Sequence, residues 1–245
     1  LSSYISCIIC EKASHMTIKK IFAIASAKGG VGKSSITAGM AIEAAKKHKV
    51  GLLDADIYGP NQHLLFDIDN TKPQIIKKNE KKLFKPVEAS GVLINSMGLI
   101  LDSEKAALWR GPMLSGAIKQ LIHSTDWGDL DILFVDMPPG TGDAYLTIAS
   151  EIKPDHSILV STPNKLAQHD LIRSIELFNK LDIDILGYIE NNISDNKFTN
   201  NIDLITKFKI KKLATIDFSN DIYNFDPNKT HISFKAISSL IKSLV

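Results

Sequence analysis

Cysteine is scarce in this sequence, and both cysteines lie near its start. Cys7 and Cys10 are the only two among 245 residues. Two thiols so close together cannot cross-link a chain of this length, which excludes a disulfide-stabilised secreted fold. We therefore expect a reducing compartment, the cytoplasm.

Long apolar runs and an excess of charge of one sign are missing as well. No stretch approaches the roughly 18 to 20 apolar residues of a membrane-spanning helix, so we expect no integral membrane segment. The 29 basic and 27 acidic residues leave a net charge of +2, which gives no electrostatic basis for a nucleic-acid partner. The lysine-rich stretch at 72–85 is interpreted as a solvated hairpin turn, with a binding role as the less favoured alternative.

The remaining composition is typical of a globular protein with one domain. Hydrophobic residues make up 44% of the chain, enough for a sizeable core at this length. Residues 1–15 lack the basic start, apolar run and cleavage site of a secretion signal. We expect them to be a leader that is disordered or not native, followed by a single domain over 16–245 that begins at Met16.

Short apolar segments alternate with helical patterns along the chain. Segments with the continuous apolar character of strands covered on both faces lie at 21–26, 50–56, 131–140, 157–163, 185–192 and 211–217. Helical periodicity is clearest at 34–48, 166–181 and 232–245. This alternation predicts an α/β fold, a doubly wound, mostly parallel sheet with helices on both faces and ligands beyond the carboxyl ends of the strands.

Two segments depart from this alternation. Between 73 and 97, short extended pieces broken by turn residues predict a small antiparallel excursion. A helix is expected from about Ser103 to Ser124, with a break near Gly111 and Pro112.

The strongest functional signal is AKGGVGKSS at 27–35, between a predicted strand and a predicted helix. It fits the phosphate-binding pattern G-x-x-x-x-G-K-[ST] except for Ala27 at the first glycine. Its glycines let backbone N–H groups point at phosphate oxygens, and the helix adds its positive end. A glycine-rich turn without a ligand is the alternative, which GKS in this context disfavours.

Within this loop we expect Lys33 to reach the β- and γ-phosphates of ATP and the Ser34 hydroxyl to bind Mg²⁺. The expected nucleotide contacts are Lys28, Gly29, Gly30, Val31, Gly32, Lys33, Ser34 and Ser35.

Acidic residues end two of the predicted strands. Asp54 and Asp56 follow one apolar run, and Asp136 follows another. We interpret Asp56 as the residue that positions the attacking water, and Asp54 and Asp136 as supports of Mg²⁺ through water. For Asp54 and Asp56 the alternative is a pair of loop-capping aspartates. Residues 138–143 would then form the switch that senses the γ-phosphate.

The additional lysine of the loop, Lys28, resembles that of the deviant Walker A ATPases, which include nitrogenase iron protein, MinD, ParA and the Mrp-type iron–sulfur carriers. The resemblance implies that Lys28 reaches across an ATP-dependent homodimer to the partner's phosphates. It makes Lys28, Lys33 and Asp56 the expected catalytic residues of a slow, Mg-dependent ATPase.

Four further stretches resemble the Mrp-type carriers in particular: DADIYGPN at 54–61, WRGPMLSGAIKQLI at 109–122, DILFVDMPPGTGDAYLTI at 131–148 and STPNKLAQHDLIRSI at 161–175. The resemblance covers about 21–192. It implies assembly or transfer of iron–sulfur clusters, client apoproteins as partners, and an adenine contact by Asn191.

One departure from that family concerns the cluster ligands. Cluster-carrying members place a Cys-x-x-Cys pair shortly after the segment that matches YIENN, but 191–204 contains no cysteine here. Thiolates hold such clusters, so we expect the cargo role to be altered or lost. Cys7 and Cys10 have suitable spacing but lie elsewhere, and spacing alone is weak support for ligation.

A MinD-like ATPase positioned at a membrane is the alternative function. It rests on a row of apolar residues that could line one face of the final helix: Ile232, Phe234, Ile237, Leu240, Ile241 and Leu244. Such a helix suits an interfacial anchor, although packing of the same face on the sheet is the favoured interpretation. DNA partitioning of the ParA kind lacks the basic surface it needs.

Overall fold

The computed structural model describes residues 17–78, 80–100, 112–140, 142–192, 208–220, 224–227 and 235–244. The strands are β1 Ile18–Ala25, β2 Val50–Asp54, β3 Gln74–Lys78, β4 Lys81–Lys85, β5 Val87–Ala89, β6 Val92–Ser96, β7 Leu130–Asp136, β8 His156–Ser161, β9 Asp184–Asn191 and β10 Lys212–Ile216. The helices are α1 Lys33–Ala45, α2 Gln62–Leu65, α3 Met97–Ile100, α4 Pro112–His123, α5 Asp143–Ile152, α6 Lys165–Lys180 and α7 Lys235–Leu244.

Eight of the strands form one sheet in the order β10-β9-β8-β1-β7-β2-β6-β5. All neighbours in it are parallel except β5, which runs antiparallel to β6 at the edge. Every residue of β2 is buried, as expected for a parallel strand covered on both faces. The predicted doubly wound α/β fold is confirmed.

The core divides into two apolar layers, one on each face of the sheet. Successive side chains of a strand point to opposite faces, and β1 shows this directly. Phe22 and Ile24 lie in the layer that includes residues of α1 and α7, whereas Ala23 and Ala25 lie in the layer that includes residues of α4, α5 and α6. Helices therefore cover the central strand from both sides.

The small antiparallel excursion predicted near 73–97 is confirmed, because β3 pairs antiparallel with β4 and β5 with β6. Only β3 and β4 form a separate antiparallel pair. In contrast, β6 also pairs in parallel with β2 inside the main sheet, where Val92 and Ile94 are fully buried. The lysine-rich segment corresponds to this β3–β4 hairpin, as interpreted.

The helices agree with the predictions in part. Helix α4 begins at Pro112, and 101–111, with most of the predicted first half of that helix, lies outside the described residues. Helix α5 was not predicted, although its buried residues Tyr145, Ile148 and Ala149 have helical spacing.

Helix α7 packs on the sheet. Ile237, Leu240 and Ile241 are buried in the same layer as α1 and β10, so this face is not available to a membrane in the folded chain. Ile232 and Phe234 lie outside the described residues. No helix within the described ranges has the length and apolar character needed to cross a bilayer. The predicted leader over 1–15 also lies outside them, and the division into leader and domain stays a prediction.

We expect Ile237→Ala to lower the free energy of unfolding by about 2 to 4 kcal/mol, because the truncation leaves a cavity between α7 and the sheet. Urea denaturation followed by circular dichroism measures this. The control is Lys242→Ala on the exposed side of the same helix, which should change stability by less than about 0.5 kcal/mol. Equal, negligible effects of both substitutions would contradict the packing of α7.

Candidate functional site

The loop between β1 and α1 lies at the carboxyl end of the central strand. Gly30 and Gly32 have φ values of 78° and 82°, in the left-handed region that favours glycine. Gly32 caps α1 without offering a side-chain acceptor to its first turn, so the positive end of this helix faces the loop. Lys28, Gly29 and Gly30 are exposed. A loop of this shape at a helix N-terminus fits a phosphate group.

Lys33 and Asp136 meet beneath this loop. The Lys33 ammonium is nearly buried, with 6% of the residue exposed, and forms an ion pair with Oδ1 of the fully buried Asp136. It also lies 3.3 Å from the Ser34 hydroxyl. Thr37, one turn further along α1, donates a hydrogen bond of 3.3 Å to the same Asp136 oxygen. The predicted residues Lys33, Ser34 and Asp136 therefore come together.

Asp54 lies beside Asp136, because the two residues are register partners on neighbouring strands. Its Oδ2 accepts hydrogen bonds from the backbone N–H groups of Asn61 and Gln62, both at 3.0 Å, and from the Ser96 hydroxyl at 2.8 Å. Burial, followed by repulsion from the Asp136 carboxylate, raises the pKa of Asp54 to about 7 despite these bonds.

Asp56 is also buried, and its Oδ1 accepts from the backbone N–H groups of Tyr58 at 3.2 Å and Gly59 at 3.1 Å. Burial raises the pKa of this carboxyl, and the nearby positive charge of Lys33 opposes that shift. Both aspartates thus organise the loop after β2, as the loop-capping alternative describes. The roles of Asp56 toward water and of Asp54 toward a metal stay predictions.

Asn191 ends β9 on the other side of the loop. Its Nδ2 donates a hydrogen bond of 2.9 Å to the carbonyl oxygen of Val31, and only 4% of the residue is exposed. A side chain at Gly32 would collide with this amide, so the close approach requires glycine there. The structure brings Asn191 against the loop; its contact with adenine stays a prediction.

Sequence reasoning missed Gln62, the first residue of α2. Its side chain is fully buried, and Nε2 donates to the carbonyl oxygen of Ser34 at 3.0 Å and to Oδ2 of Asp136 at 2.8 Å. The available signal was its position in the loop after β2, at the sheet edge where ligands gather. A glutamine in a loop does not by itself indicate a functional site.

Metal binding at this site cannot rest on side chains alone. Within the described residues, no group of three or more His, Cys, Asp or Glu side chains is arranged to hold a metal ion. The donor set near Lys33 is a Ser34 hydroxyl with Asp54 and Asp136 close by. This set fits Mg²⁺, which commonly binds one or two protein oxygens together with phosphate oxygens and water.

Several predicted features fall outside the described residues. These are Cys7, Cys10, most of 191–204, and Thr141 within the predicted switch at 138–143. Within that segment, the Gly140 N–H donates to the Ser26 carbonyl oxygen at 3.3 Å. The segment predicted to be a switch is therefore hydrogen-bonded to Ser26, the residue that precedes the glycine-rich loop.

Comparison with known proteins points to one family. A family model described as the NUBPL iron-transfer P-loop NTPase, of the ParA group, matches residues 17–223. An iron–sulfur cluster carrier protein of Pseudomonas fragi is 47% identical over 176 residues, which is 71% of this chain and 60% of that protein. The chain spans about half to three-fifths of the length of the curated relatives it matches.

Solved structures agree with the fold. A nucleotide-binding protein from Archaeoglobus fulgidus in complex with ADP has a TM-score of 0.70 and 30% identity, covering 88% of both chains. The septum site-determining protein MinD of Pyrococcus horikoshii, complexed with Mg-ADP, has a TM-score of 0.71 at 20% identity, covering 92% of this chain and 96% of that one. The second likeness concerns the fold alone.

We expect Asp54→Asn to reduce the pH dependence of the free energy of unfolding. The pKa of Asp54 is about 7 in the folded protein against an ordinary value of 3.8. Between these values the folded state holds a proton that the unfolded chain releases, so this carboxyl's contribution to stability is greatest at low pH and falls as pH rises toward 7. Between about pH 5 and about pH 8, the free energy of unfolding of the wild type should fall by at least about 1 kcal/mol more than that of the variant.

Urea titrations at both pH values measure this difference. Asp131→Asn is a control of opposite sign, because the hydrogen bond from Lys19 lowers the pKa of Asp131. Relative to the wild type, Asp131→Asn should have a lower free energy of unfolding at neutral pH, and the difference should be smaller in acid. An unchanged pH profile in Asp54→Asn would show that Asp54 is already ionised in the folded chain at low pH.

Proposed function

This chain belongs to the NUBPL family of iron-transfer P-loop NTPases, and from that premise we propose that it binds and slowly hydrolyses ATP with Mg²⁺ as a homodimer that serves iron–sulfur cluster transfer. The observation that carries the nucleotide part is the meeting of the glycine-rich loop with the buried Lys33–Asp136 pair. The cluster part rests on the family and on the relatives' names.

Nucleotide binding begins at the loop. Its backbone N–H groups and the start of α1 accept the phosphates, and Lys33 exchanges its Asp136 partner for β- and γ-phosphate oxygens. The exchange is short-range because Lys33 already lies next to Ser34, at 3.3 Å from its hydroxyl. We expect Asn191, whose amide is held against Val31 at 2.9 Å, to contact the adenine.

Ser34 would hold Mg²⁺, and Asp54 and Asp136 would support the ion through water. When bound, Mg²⁺ neutralises charge that develops on the β- and γ-phosphates. Asp56 orients the attacking water. Two backbone N–H groups hold its Oδ1, which fixes the carboxylate and leaves Oδ2 to accept a hydrogen bond from that water.

Dimer formation involves Lys28 and the carboxyl-end edge of the sheet. Lys28 is exposed, and its backbone is fixed by a hydrogen bond of 2.9 Å from the Ser26 hydroxyl to its carbonyl oxygen. Large apolar side chains are exposed in segments that follow the strand ends, including Tyr58 at 66% and Leu166 at 71%. Exposed apolar groups around a functional edge favour a protein interface, and Lys28 would add positive charge to the partner's phosphates.

The cluster is cargo in this proposal, passed to client apoproteins in a reducing cytoplasm. Cys7 and Cys10 are the sequence's only thiols, so ligation by this chain, where it occurs, involves them or a partner's groups. The MinD-like alternative gains no support, since three of its proposed anchor residues are buried.

We expect Lys28→Ala to retain nucleotide affinity but to lose ATP-dependent dimerisation and at least about tenfold in turnover, because its charge acts across the dimer. A fluorescent ATP analogue, sedimentation velocity and phosphate release measure the three properties. Lys33→Ala should lose nucleotide binding itself, and Lys82→Ala, on the exposed β4, is the control with no effect. Normal turnover and dimerisation in Lys28→Ala would refute the deviant Walker A mechanism.

A second experiment concerns the cargo. After anaerobic reconstitution with iron and sulfide, visible absorption and iron content are compared between the full chain and a Cys7→Ser/Cys10→Ser variant. Because thiolates hold iron–sulfur clusters, we expect iron in the full chain only. Equal iron in both proteins would exclude these cysteines as ligands, and no iron in either would contradict cluster ligation by this chain.

A further inference from the structure

Gln62 lies at the centre of the proposed magnesium site, yet the function proposed above gives it no task. The residue has no exposed surface. Its backbone N–H donates to Asp54 and its side-chain amide to Ser34 and Asp136. One residue thus contacts all three of the residues proposed to surround Mg²⁺.

The orientation of the Gln62 amide follows from its partners. Nε2 lies 3.0 Å from the Ser34 carbonyl oxygen and 2.8 Å from Asp136 Oδ2, and both of these atoms are acceptors. Only the nitrogen end can donate, so a flipped amide would place oxygen against oxygen. The other end of the amide is therefore an oxygen.

That oxygen, Oε1, is buried and has no hydrogen-bond partner among the described residues. Leaving a buried acceptor unpaired costs about 1 to 3 kcal/mol, which calls for an explanation in a site that otherwise pairs its polar groups. Amide bond lengths keep Oε1 within about 5.4 Å of Asp136 Oδ2. The unpaired acceptor is thus part of the site and not of a distant pocket.

Because Oε1 is a hydrogen-bond acceptor, only a donor can pair with it. Phosphate oxygens of ATP are acceptors themselves and cannot pair with Oε1. Mg²⁺ in nucleotide sites keeps several water molecules, whose hydrogens point away from the ion and need acceptors. A water of the ion's hydration shell is therefore the complementary partner.

We propose that Gln62 is a positioning residue for Mg²⁺, whose Oε1 accepts a hydrogen bond from a water of the hydration shell while Nε2 holds the Asp136 carboxylate. The inference rests on the proposed function, because it requires Mg²⁺ to accompany ATP. When Lys33 turns to the phosphates, Asp136 Oδ1 loses its cation but Oδ2 keeps its bond to Gln62. The carboxylate thereby stays oriented toward the same water shell.

The test is the gain in ATP affinity that Mg²⁺ provides, measured on the full chain as the ratio of dissociation constants in EDTA and in excess Mg²⁺. A fluorescent ATP analogue reports both values without turnover. Gln62→Met keeps the side-chain volume but removes both polar atoms. We expect it to reduce the gain about three- to tenfold, the equivalent of one lost hydrogen bond, with affinity in EDTA nearly unchanged.

Two further variants separate metal positioning from mere folding. Gln62→Glu keeps an acceptor and adds negative charge, so the gain from Mg²⁺ should equal or exceed that of the wild type, even where the metal-free protein is destabilised by repulsion from Asp136. Asn95→Leu is the matched control, because Asn95 is likewise fully buried with an unpaired amide oxygen, in β6. It should leave the gain unchanged whatever it does to thermal stability.

The outcomes distinguish this inference from the function on which it rests. A wild-type chain that binds no nucleotide, or binds it equally well without Mg²⁺, overturns both. If Gln62→Met keeps the full gain in ATP affinity that Mg²⁺ gives the wild type, only the role of Gln62 is overturned. The same holds if Gln62→Met and Gln62→Glu reduce this gain equally. If circular dichroism shows that Gln62→Met is unfolded, the test rests on Gln62→Glu. A gain in ATP affinity from Mg²⁺ equal to or above that of the wild type supports the role of Gln62, and a smaller gain overturns it.

Discussion

The buried pair of Lys33 and Asp136 is the interaction on which the rest of the site depends. Neither charge could remain in the interior alone, because removing one partner of such a pair leaves an uncompensated buried charge. The pair joins the first turn of α1 to the end of β7. A ligand that draws Lys33 away must also compensate Asp136. An anion together with a cation does so, whereas either alone does not, so phosphate and Mg²⁺ should bind cooperatively.

The register of the sheet explains why the polar groups of the site concentrate at this edge. Ser96, Asp54 and Asp136 are register neighbours across β6, β2 and β7. Each ends its strand at the same level, and the central position of β1 places the glycine-rich loop beside β7. Burial of this row, followed by repulsion between its two carboxylates, raises the pKa of Asp54, whereas the nearby positive charge of Lys33 opposes that shift.

Much of the fold and of the loop could be predicted because they depend on local patterns. The buried strands appeared as apolar runs, and the phosphate-binding loop follows from glycines and a lysine at fixed spacing. The parallel pairing of β6 could not be predicted, since its sequence does not say which strand it joins. Gln62 was missed for the same kind of reason. Its role comes from contacts with Ser34 and Asp136, which are 28 and 74 residues away in sequence.

The packing of α7 on α1 has a consequence for the order in which the protein can become functional during synthesis. Ser238 in α7 and Glu43 in α1 are hydrogen-bonded although 195 residues separate them. The loop and α1 leave the ribosome early, but β7, β8 and α7, which support and cover them, follow much later. Non-local topologies of this kind fold slowly and expose apolar surface meanwhile. A chain interrupted before α7 would carry the complete glycine-rich loop on an uncovered helix, making it a substrate for chaperones and proteases before it could reach the folded state.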